Sequence, residues 1–506
     1  MEAIVETGAG AVRGHGRDGV VEFLGIPFAA QPVGSLRWQA PQPPQPWDGV
    51  LDADTWGPTP PQLPTPLTSG LPDQGEACLH LSVWTPAADD ARRPVMVWIH
   101  GGGFSTMAAA DGGWHGHKLA AAGDVVVVSV EYRTGCLGFL DLSAAFGDDY
   151  AGSGNLGIRD QIAALEWVRD NVAGFGGDPG DVTIFGESAG AMSVGTLMAT
   201  PSAAGLFHKA VAESGAASMV SSPKLATAVT AHFLDFVGVE AGDRAGLEAL
   251  GVDAILAAQA ELFAWYPKIA REHGDGEPLG LPTRPVVDGV VIPRKPLDAI
   301  RDGAAAGIPL LLGTTLDEFR LFTEIVGLRV AADVEHLTRR LSVSMPPERA
   351  AETAAHYMSK HGGEHGRFGG AAAATDALFT IPALRLADAH SAHEARTFLY
   401  RFDWPTALLD GRLGACHGIE LPFVFDIFDG SPISYLAGPE APVDLAKAMQ
   451  AAWVGFARNG DPGVDVLPRW PAYDADRRAT MIFDAECRVE DDPAAAERQL
   501  WDGIDP

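Results

Sequence analysis

Cysteine is scarce: Cys78, Cys136, Cys416 and Cys487 are the only four among 506 residues. They lack the spacing of a metal site, and so few in so long a chain suggest no disulfide framework. Buried free thiols are the expectation, and neither a metal nor a cofactor is called for. Positive charge is scarce as well, with 36 basic residues against 66 acidic ones and a formal net charge of −30. That is the wrong sign for gripping nucleic acid or anionic lipid, so neither partner is expected. The opening stretch MEAIVETGAGAVRGHGRDG has no basic segment followed by an apolar run. Without a visible secretory signal or membrane anchor, the expectation is a cytoplasmic protein. No repeat of fixed period is present, which argues against a solenoid. The chain is 47% hydrophobic and 20% charged, an ordinary globular composition able to bury a large core.

Prolines crowd residues 31–73 (PQPPQPWDG, GPTPPQLPTP), and because proline cannot donate to a sheet ladder this stretch reads as an extended surface covering. From residue 95 the pattern changes. VMVWI (95–99), VVVVSV (125–130), VTIF (182–185), AVAES (210–214) and IPLLLG (308–313) are short apolar runs, expected as strands buried on both faces. Between Asn155 and Gly174 the residues Ile158, Ile162, Leu165, Val168 and Val172 recur at helical spacing, with Gly174 placed to end the helix. Alternating strands and helices predict an α/β fold, a mostly parallel central sheet flanked by helices. Residues 225–280 and 325–400 lack buried-strand runs and read as helical excursions above it.

Gly186-Glu187-Ser188-Ala189-Gly190 is a G-x-S-x-G pentapeptide between the strand VTIF and the helix-like AMSVGTLMA, the setting of a nucleophile on a sharp strand-to-helix turn. In a chain with 59 glycines the pentapeptide alone is a weak signal; the strand and helix around it strengthen it. His100-Gly101-Gly102-Gly103-Phe104 follows directly on VMVWI. Glycines there let backbone N–H groups approach a developing oxyanion, each worth about 3 kcal/mol in the transition state. No G-K-[ST] follows to make the loop a phosphate cradle.

A serine nucleophile on this kind of fold takes an acid and then a histidine later in the chain. Asp317 and Glu318 stand equally well a few residues past IPLLLG, and His417 sits in LGACHGIELPFVF. Spacing alone does not choose between the two acids.

These stretches together resemble the type-B carboxylesterase and cholinesterase family, in particular its bacterial para-nitrobenzyl-esterase-like members. The longest match is FGGDPGDVTIFGESAG (175–190), accompanied by FLGIPFA, EACLHLSVWTP, VWIHGGGF, EYRTGCLGFL, GNLGIRDQIAALEWV, PVVDGVVIP, LLLGTTLDE, GACHGIELPFVF and FARNGDP. The resemblance spans nearly the whole chain and implies one α/β-hydrolase catalytic domain over residues 1–506. It implies a serine ester hydrolase working through an acyl-enzyme on a small-molecule ester. Ser188 matches the nucleophile, Glu318 rather than Asp317 the acid, His417 the base, and Gly102, Gly103 and Ala189 the oxyanion donors. Ser214 falls where the family keeps a serine close to the triad, and Glu187 where cholinesterases keep an acid near bound cations. This chain departs from the pattern at Phe319, usually glycine, at Ala77, usually acidic, and at Glu131, commonly asparagine.

Other signals are read blandly. His115-Gly116-His117 lacks a third ligand and is expected as solvent-exposed histidines. Trp98, Phe104, Trp114 and Phe322 are expected in the core more than in a pocket. The net charge together with Glu187 predicts a preference for neutral or cationic esters, unless Glu187 points into a hydrogen-bond network. A recognition protein without catalysis is the rival from another class, opposed by the complete triad. Lactones, amides and carbamates stay open as alternative bonds.

Overall fold

The computed structural model describes residues 2–273, 280–362 and 366–504. Their strands join one sheet: β1 (Glu2–Glu6), β2 (Ala11–Arg17), β3 (Val20–Pro27), β4 (Val50–Asp52), β5 (His80–Thr85), β6 (Arg93–Ile99), β7 (Val126–Val130), β8 (Gly177–Glu187), β9 (Lys209–Glu213), β10 (Leu310–Thr315), β11 (Thr397–Phe402), β12 (Ala479–Phe483) and β13 (Arg488–Asp491). The order is β1-β2-β3-β5-β7-β6-β8-β9-β10-β11-β12-β13, with β4 beside β2. From β7 through β12 every neighbouring pair is parallel. The N-terminal strands and β13 extend it mainly antiparallel.

Alternation inside the apolar runs explains why these strands are central. Val95, Val97 and Ile99 of β6, Val126, Val128 and Val130 of β7, Ile184 of β8, and Leu310 and Leu312 of β10 feed one core. Met96, Trp98, Val127, Phe185 and Leu311, one residue out of step, feed a second. A strand with period-two side chains and no polar face has to be covered on both sides. The helix Leu156–Asn171 covers the first face through Ile158, Ile162, Leu165 and Val168. The helix Val443–Asn459 covers the second through Leu445, Met449, Trp453 and Phe456.

Several local expectations are corrected. The helix of residues 156–171 runs on as a 3-10 turn over Val172–Phe175 and ends at Gly176, at φ 82°, not at Gly174. The proline-rich stretch is not wholly a surface covering, because Trp38, Thr59 and Gln62 are buried. The Trp38 Nε1–H donates to Cys136 O at 2.9 Å, and the Gln62 amide donates to Met107 O at 2.9 Å and accepts from Met107 N–H at 2.7 Å. Cys78, Cys136 and Cys416 are buried free thiols, whereas Cys487 is half-buried. His117 is buried and His115 stacks on Trp56 and Trp84, so neither is a solvent-exposed histidine.

Over residues 223–273 the helices Pro223–Val237 and Val252–His273 pack on one another and share a separate core with Leu137, Leu140 and Leu156. Four more helices, Val334–Leu341, Pro347–His361, Arg367–Thr375 and Ile381–Ser391, occupy much of residues 325–400, but β11 begins inside that span. Residues 274–279 and 363–365 of those two spans lie outside the described residues. Among the described residues no helix is long and apolar enough to cross a membrane.

Candidate active site

The chemistry-bearing residues converge at the C-terminal ends of the parallel strands, where side chains leave the sheet unobstructed. Ser188 follows β8 and precedes the helix Ala189–Leu197, with φ 57° and ψ −123°. A non-glycine residue at positive φ costs on the order of 1–3 kcal/mol and persists only where its surroundings hold it. Here the Ser188 N–H donates to Glu213 O at 2.9 Å. The flanking glycines admit β6: a Cβ on Gly186 would lie 2.6 Å from Ile99 O, and one on Gly190 would collide with the same oxygen. The turn is therefore built by glycine and backbone, and the hydroxyl is free to serve chemistry.

Glu318 stands just past β10 and is fully buried. Its Oε1 accepts from Thr315 N–H at 2.8 Å and its Oε2 from His417 Nδ1–H at 2.6 Å. Donation from Nδ1 fixes the tautomer and leaves a lone pair on Nε2. The neighbouring carboxyl of Asp317 turns the other way, pairing with Arg320 at 2.8 Å and accepting from Ala415 N–H at 3.1 Å. It anchors the loop that carries His417. Phe322 and Phe379 lie against the imidazole at centroid distances of 5.1 and 4.9 Å. Trp98, Phe104 and Trp114 are core residues, so Phe322 alone of the four aromatics weighed from sequence reaches the site. Phe319 packs tilted against Phe322 at a centroid distance of 5.1 Å and its N–H donates to Thr375 Oγ1 at 3.0 Å, which places it in the wall behind.

Gly102 and Gly103 adopt φ of 101° and 60° in the loop after β6, and a Cβ on Gly102 would collide with Thr106 O. Across from them Ala189 opens the helix that follows the serine, its N–H among those with no partner inside the helix. The loop lies against the nucleophile turn, since a Cβ on Gly101 would come 3.1 Å from Ser188 Cβ.

Glu187 is buried, with Oε1 3.1 Å from His417 Nε2. Burial pushes its carboxyl well above the usual range, reinforced by the charges of Glu318 and Glu213. A negative charge beside the serine is therefore disfavoured, and Glu187 Oε1 has no hydrogen-bond partner among the described residues. Ser214 is fully buried and its Oγ donates to Glu420 Oε1 at 3.3 Å.

Two carboxyls of this cluster were not singled out in the sequence. Glu420 is pushed well up by burial and by Glu187, Glu318 and Glu213; Glu213 is pushed up to about 8 by burial, against a hydrogen bond from Trp453 Nε1–H at 3.0 Å. A glutamate in the otherwise apolar GIELPF, three residues after His417, was the available signal for Glu420. Ser188 Oγ makes no hydrogen bond among the described residues.

A cavity of about 1000 Å³ is lined in part by Ala217, Met219 and Leu378, the residue before Phe379. Among the described residues its wall also carries Arg271, Arg284, Lys295, Arg301 and Arg385 with the single acid Asp298, which pairs with Arg301 at 2.6 Å.

A family model described as the carboxylesterase family matches residues 1–501. A para-nitrobenzyl esterase of Bacillus subtilis (strain 168) is 39% identical over 98% of each chain. The phenmedipham hydrolase of Pseudarthrobacter oxydans is 35% identical over 98% of this chain and 97% of that one. Among solved structures, the Geobacillus stearothermophilus carboxylesterase EST55 superposes with a TM-score of 0.86 at 40% identity, covering 98% of this chain and 99% of that one.

Proposed function

Because the chain belongs to the carboxylesterase family and hydrolyses carboxylic esters, we propose that Ser188, His417 and Glu318 carry that hydrolysis, with the N–H groups of Gly102, Gly103 and Ala189 receiving the oxyanion. The observation that carries this reading is the buried 2.6 Å contact of His417 Nδ1 with Glu318 beside a serine held at positive φ.

In the proposed cycle Ser188 Oγ attacks the ester carbonyl while His417 Nε2 removes its proton. The carbonyl oxygen becomes an oxyanion facing the loop after β6. The tetrahedral intermediate collapses as the imidazolium returns the proton to the departing alkoxide, leaving an acyl-serine. Water then repeats the attack with the same base, and a carboxylic acid leaves. Glu318 stabilises the transient imidazolium without itself taking the proton. For attack, Oγ must come within hydrogen-bond reach of Nε2, which faces Glu187 at rest. Contacts of this kind are commonly loose before substrate binds.

A phosphonate ester that mimics the tetrahedral intermediate is expected to add one adduct per chain, found on Ser188 by peptide mass spectrometry. An adduct on any other residue sinks the assignment.

Substrate charge follows from the same groups. Since burial and the neighbouring carboxyls disfavour a charge on Glu187, Glu187→Gln should leave the ratio of kcat/KM for matched neutral and anionic esters unchanged within about twofold, whatever it does to either rate. Surface charge acts on encounter and is screened over about 8 Å at physiological salt. Whatever preference it produces should fade in salt. A change in that ratio of tenfold or more for Glu187→Gln would restore the carboxylate as a charge sensor.

A further inference from the structure

The loop that carries the proposed oxyanion donors leaves the sheet at His100 and returns through Ala109 and Ala110, and one side chain meets both ends. Glu131, the residue after β7, is buried at 4% exposure. Its Oε1 accepts from Ala110 N–H at 3.1 Å, and the Ala109 N–H also serves the carboxyl. Its Oε2 faces His100 Nε2 at 3.7 Å. Neither Oε2 nor Nε2 has a hydrogen-bond partner among the described residues. His100 is fully buried, stacked on Tyr132 at 4.4 Å, and its carbonyl accepts from the Tyr132 hydroxyl at 2.7 Å.

The protons on these atoms follow from their neighbours. His100 Nδ1 lies 2.8 Å from Gly101 O, and a carbonyl only accepts, so Nδ1 carries the ring proton and Nε2 presents a lone pair. A carboxylate would set a second lone pair against it with water excluded; a carboxylic acid sets an O–H against it. Less than an ångström of side-chain movement makes that hydrogen bond.

We propose that Glu131, as a neutral carboxylic acid, is the clasp of the oxyanion loop, with Oε1 holding the returning end at Ala109 and Ala110 and the Oε2–H holding the departing end through His100. It is a positioning residue for Gly102 and Gly103, and the sequence marks it as the place where this chain departs from asparagine. Burial supports the assignment by pushing Glu131 up to about 8 and His100 down to about 4.

Other titratable groups around this loop change charge elsewhere. Burial holds His80 at about 4 and, with help from its neighbours, holds Cys78 and Tyr132 far up. His115, on the Ala110 carbonyl, is held near 4 and Asp111 near 6, both by burial. Arg133 and Asp160 are locked in a buried pair at 2.7 Å. Of these groups Glu131 is the one that loses its proton just above neutral pH; Glu213, also pushed up to about 8, lies on the other side of Ser188 and is common to the parent and the Glu131 variants, so only a difference between their alkaline limbs reports on Glu131. Loss of the Glu131 proton removes the donor to Nε2 and should loosen the loop.

The inference rests on the oxyanion reading of Gly102 and Gly103, and the experiment separates the two. The probe is a trifluoromethyl ketone analogue of an ester substrate, whose adduct with the enzyme carries an oxyanion. Glu131→Ala should lower kcat about 10- to 50-fold with little change in KM, part of the about 10²- to 10³-fold that one lost oxyanion donor costs. It should weaken the ketone by a similar factor. Glu131→Gln, which offers an N–H in place of the O–H, should recover most of the kcat at pH 7 and hold it to higher pH than the parent enzyme, whose kcat falls as pH rises through about 8.

If Glu131→Ala does not fold, the parent and Glu131→Gln pH profiles carry the test. A kcat within about twofold of the parent for Glu131→Ala overturns the clasp. So does a Glu131→Gln enzyme as impaired as Glu131→Ala at pH 7, or one with the parent's alkaline limb. Gly102→Ala is the control for the loop itself: unchanged ketone affinity there means the oxyanion reading has failed, whereas a loss there with none in Glu131→Ala means the clasp alone has failed.

Discussion

Ser188→Ala is expected to lower kcat/KM for a simple ester by at least about a thousandfold while leaving thermal unfolding within a degree or so of the parent. The two halves of that expectation have separate causes. In the proposed cycle the Ser188 oxygen is the atom that forms the acyl-enzyme, and Ser214 is no replacement, being fully buried with its Oγ directed at Glu420. The turn, by contrast, is held by the Ser188 N–H on Glu213 O and by glycines 186 and 190 against Ile99, none of which involves the side chain. Alanine should tolerate the same backbone at little cost beyond the strain serine already bears. Purified Ser188→Ala with a tenth or more of the parent activity, free of contaminating esterase, would remove the nucleophile assignment.

Glu318→Gln is the second large effect, expected at about a thousandfold or more in kcat. The amide fills the same space but presents an N–H where the carboxylate accepted, so the His417 ring either loses its partner or flips its tautomer, and Nε2 is then no longer the base. The emerging imidazolium also loses its counter-charge. Asp317→Asn is expected to cost less than about tenfold, because that carboxyl touches Arg320 and Ala415 N–H rather than the imidazole. Its effect should appear chiefly as lower stability of the loop carrying His417, seen as a drop in melting temperature larger than that of Glu318→Gln. Reversal of the two kinetic losses would make Asp317 the acid and Glu318 the anchor.

Adjacent acids with opposite roles illustrate what the chain alone leaves open. Spacing past the strand IPLLLG treated Asp317 and Glu318 alike, and only resemblance separated them. The structure separates them by direction, since consecutive side chains leaving β10 point to different neighbours.

Local patterns were legible where short stretches dictate their own geometry. A β-branched run followed by G-x-S-x-G, or by three glycines, imposes a strand and a tight turn whatever the rest of the chain does. Runs apolar on both faces likewise announced a sheet covered on both sides, and β6, β7, β8, β9 and β10 lie where those runs stand. Strands β1, β2 and β3 escaped notice because sequences such as AVRGHGR mix glycine and charge into an antiparallel strand. The stopping point of the helix after Asn155 was missed by two residues because several glycines compete to end it and the 3-10 turn decides among them.

By itself, then, the sequence determined the turn that exposes Ser188, the glycine loop opposite it, the α/β layering and, through resemblance, the ester chemistry. Each rests on contacts between near neighbours in the chain, or on a hydrophobic period that leaves one way to hide. The tertiary structure alone decided the charge state around the site. Glu187, Glu213, Glu318 and Glu420 come from three strand ends and one distant loop, and their shared burial disfavours a charge on Glu187, where its position in the sequence suggested a cation-attracting group. It also decided that Glu131 meets His100, two residues from different strands with no mark of pairing along the chain. Desolvation and long-range proximity set both outcomes, and neither is written in any local run of residues.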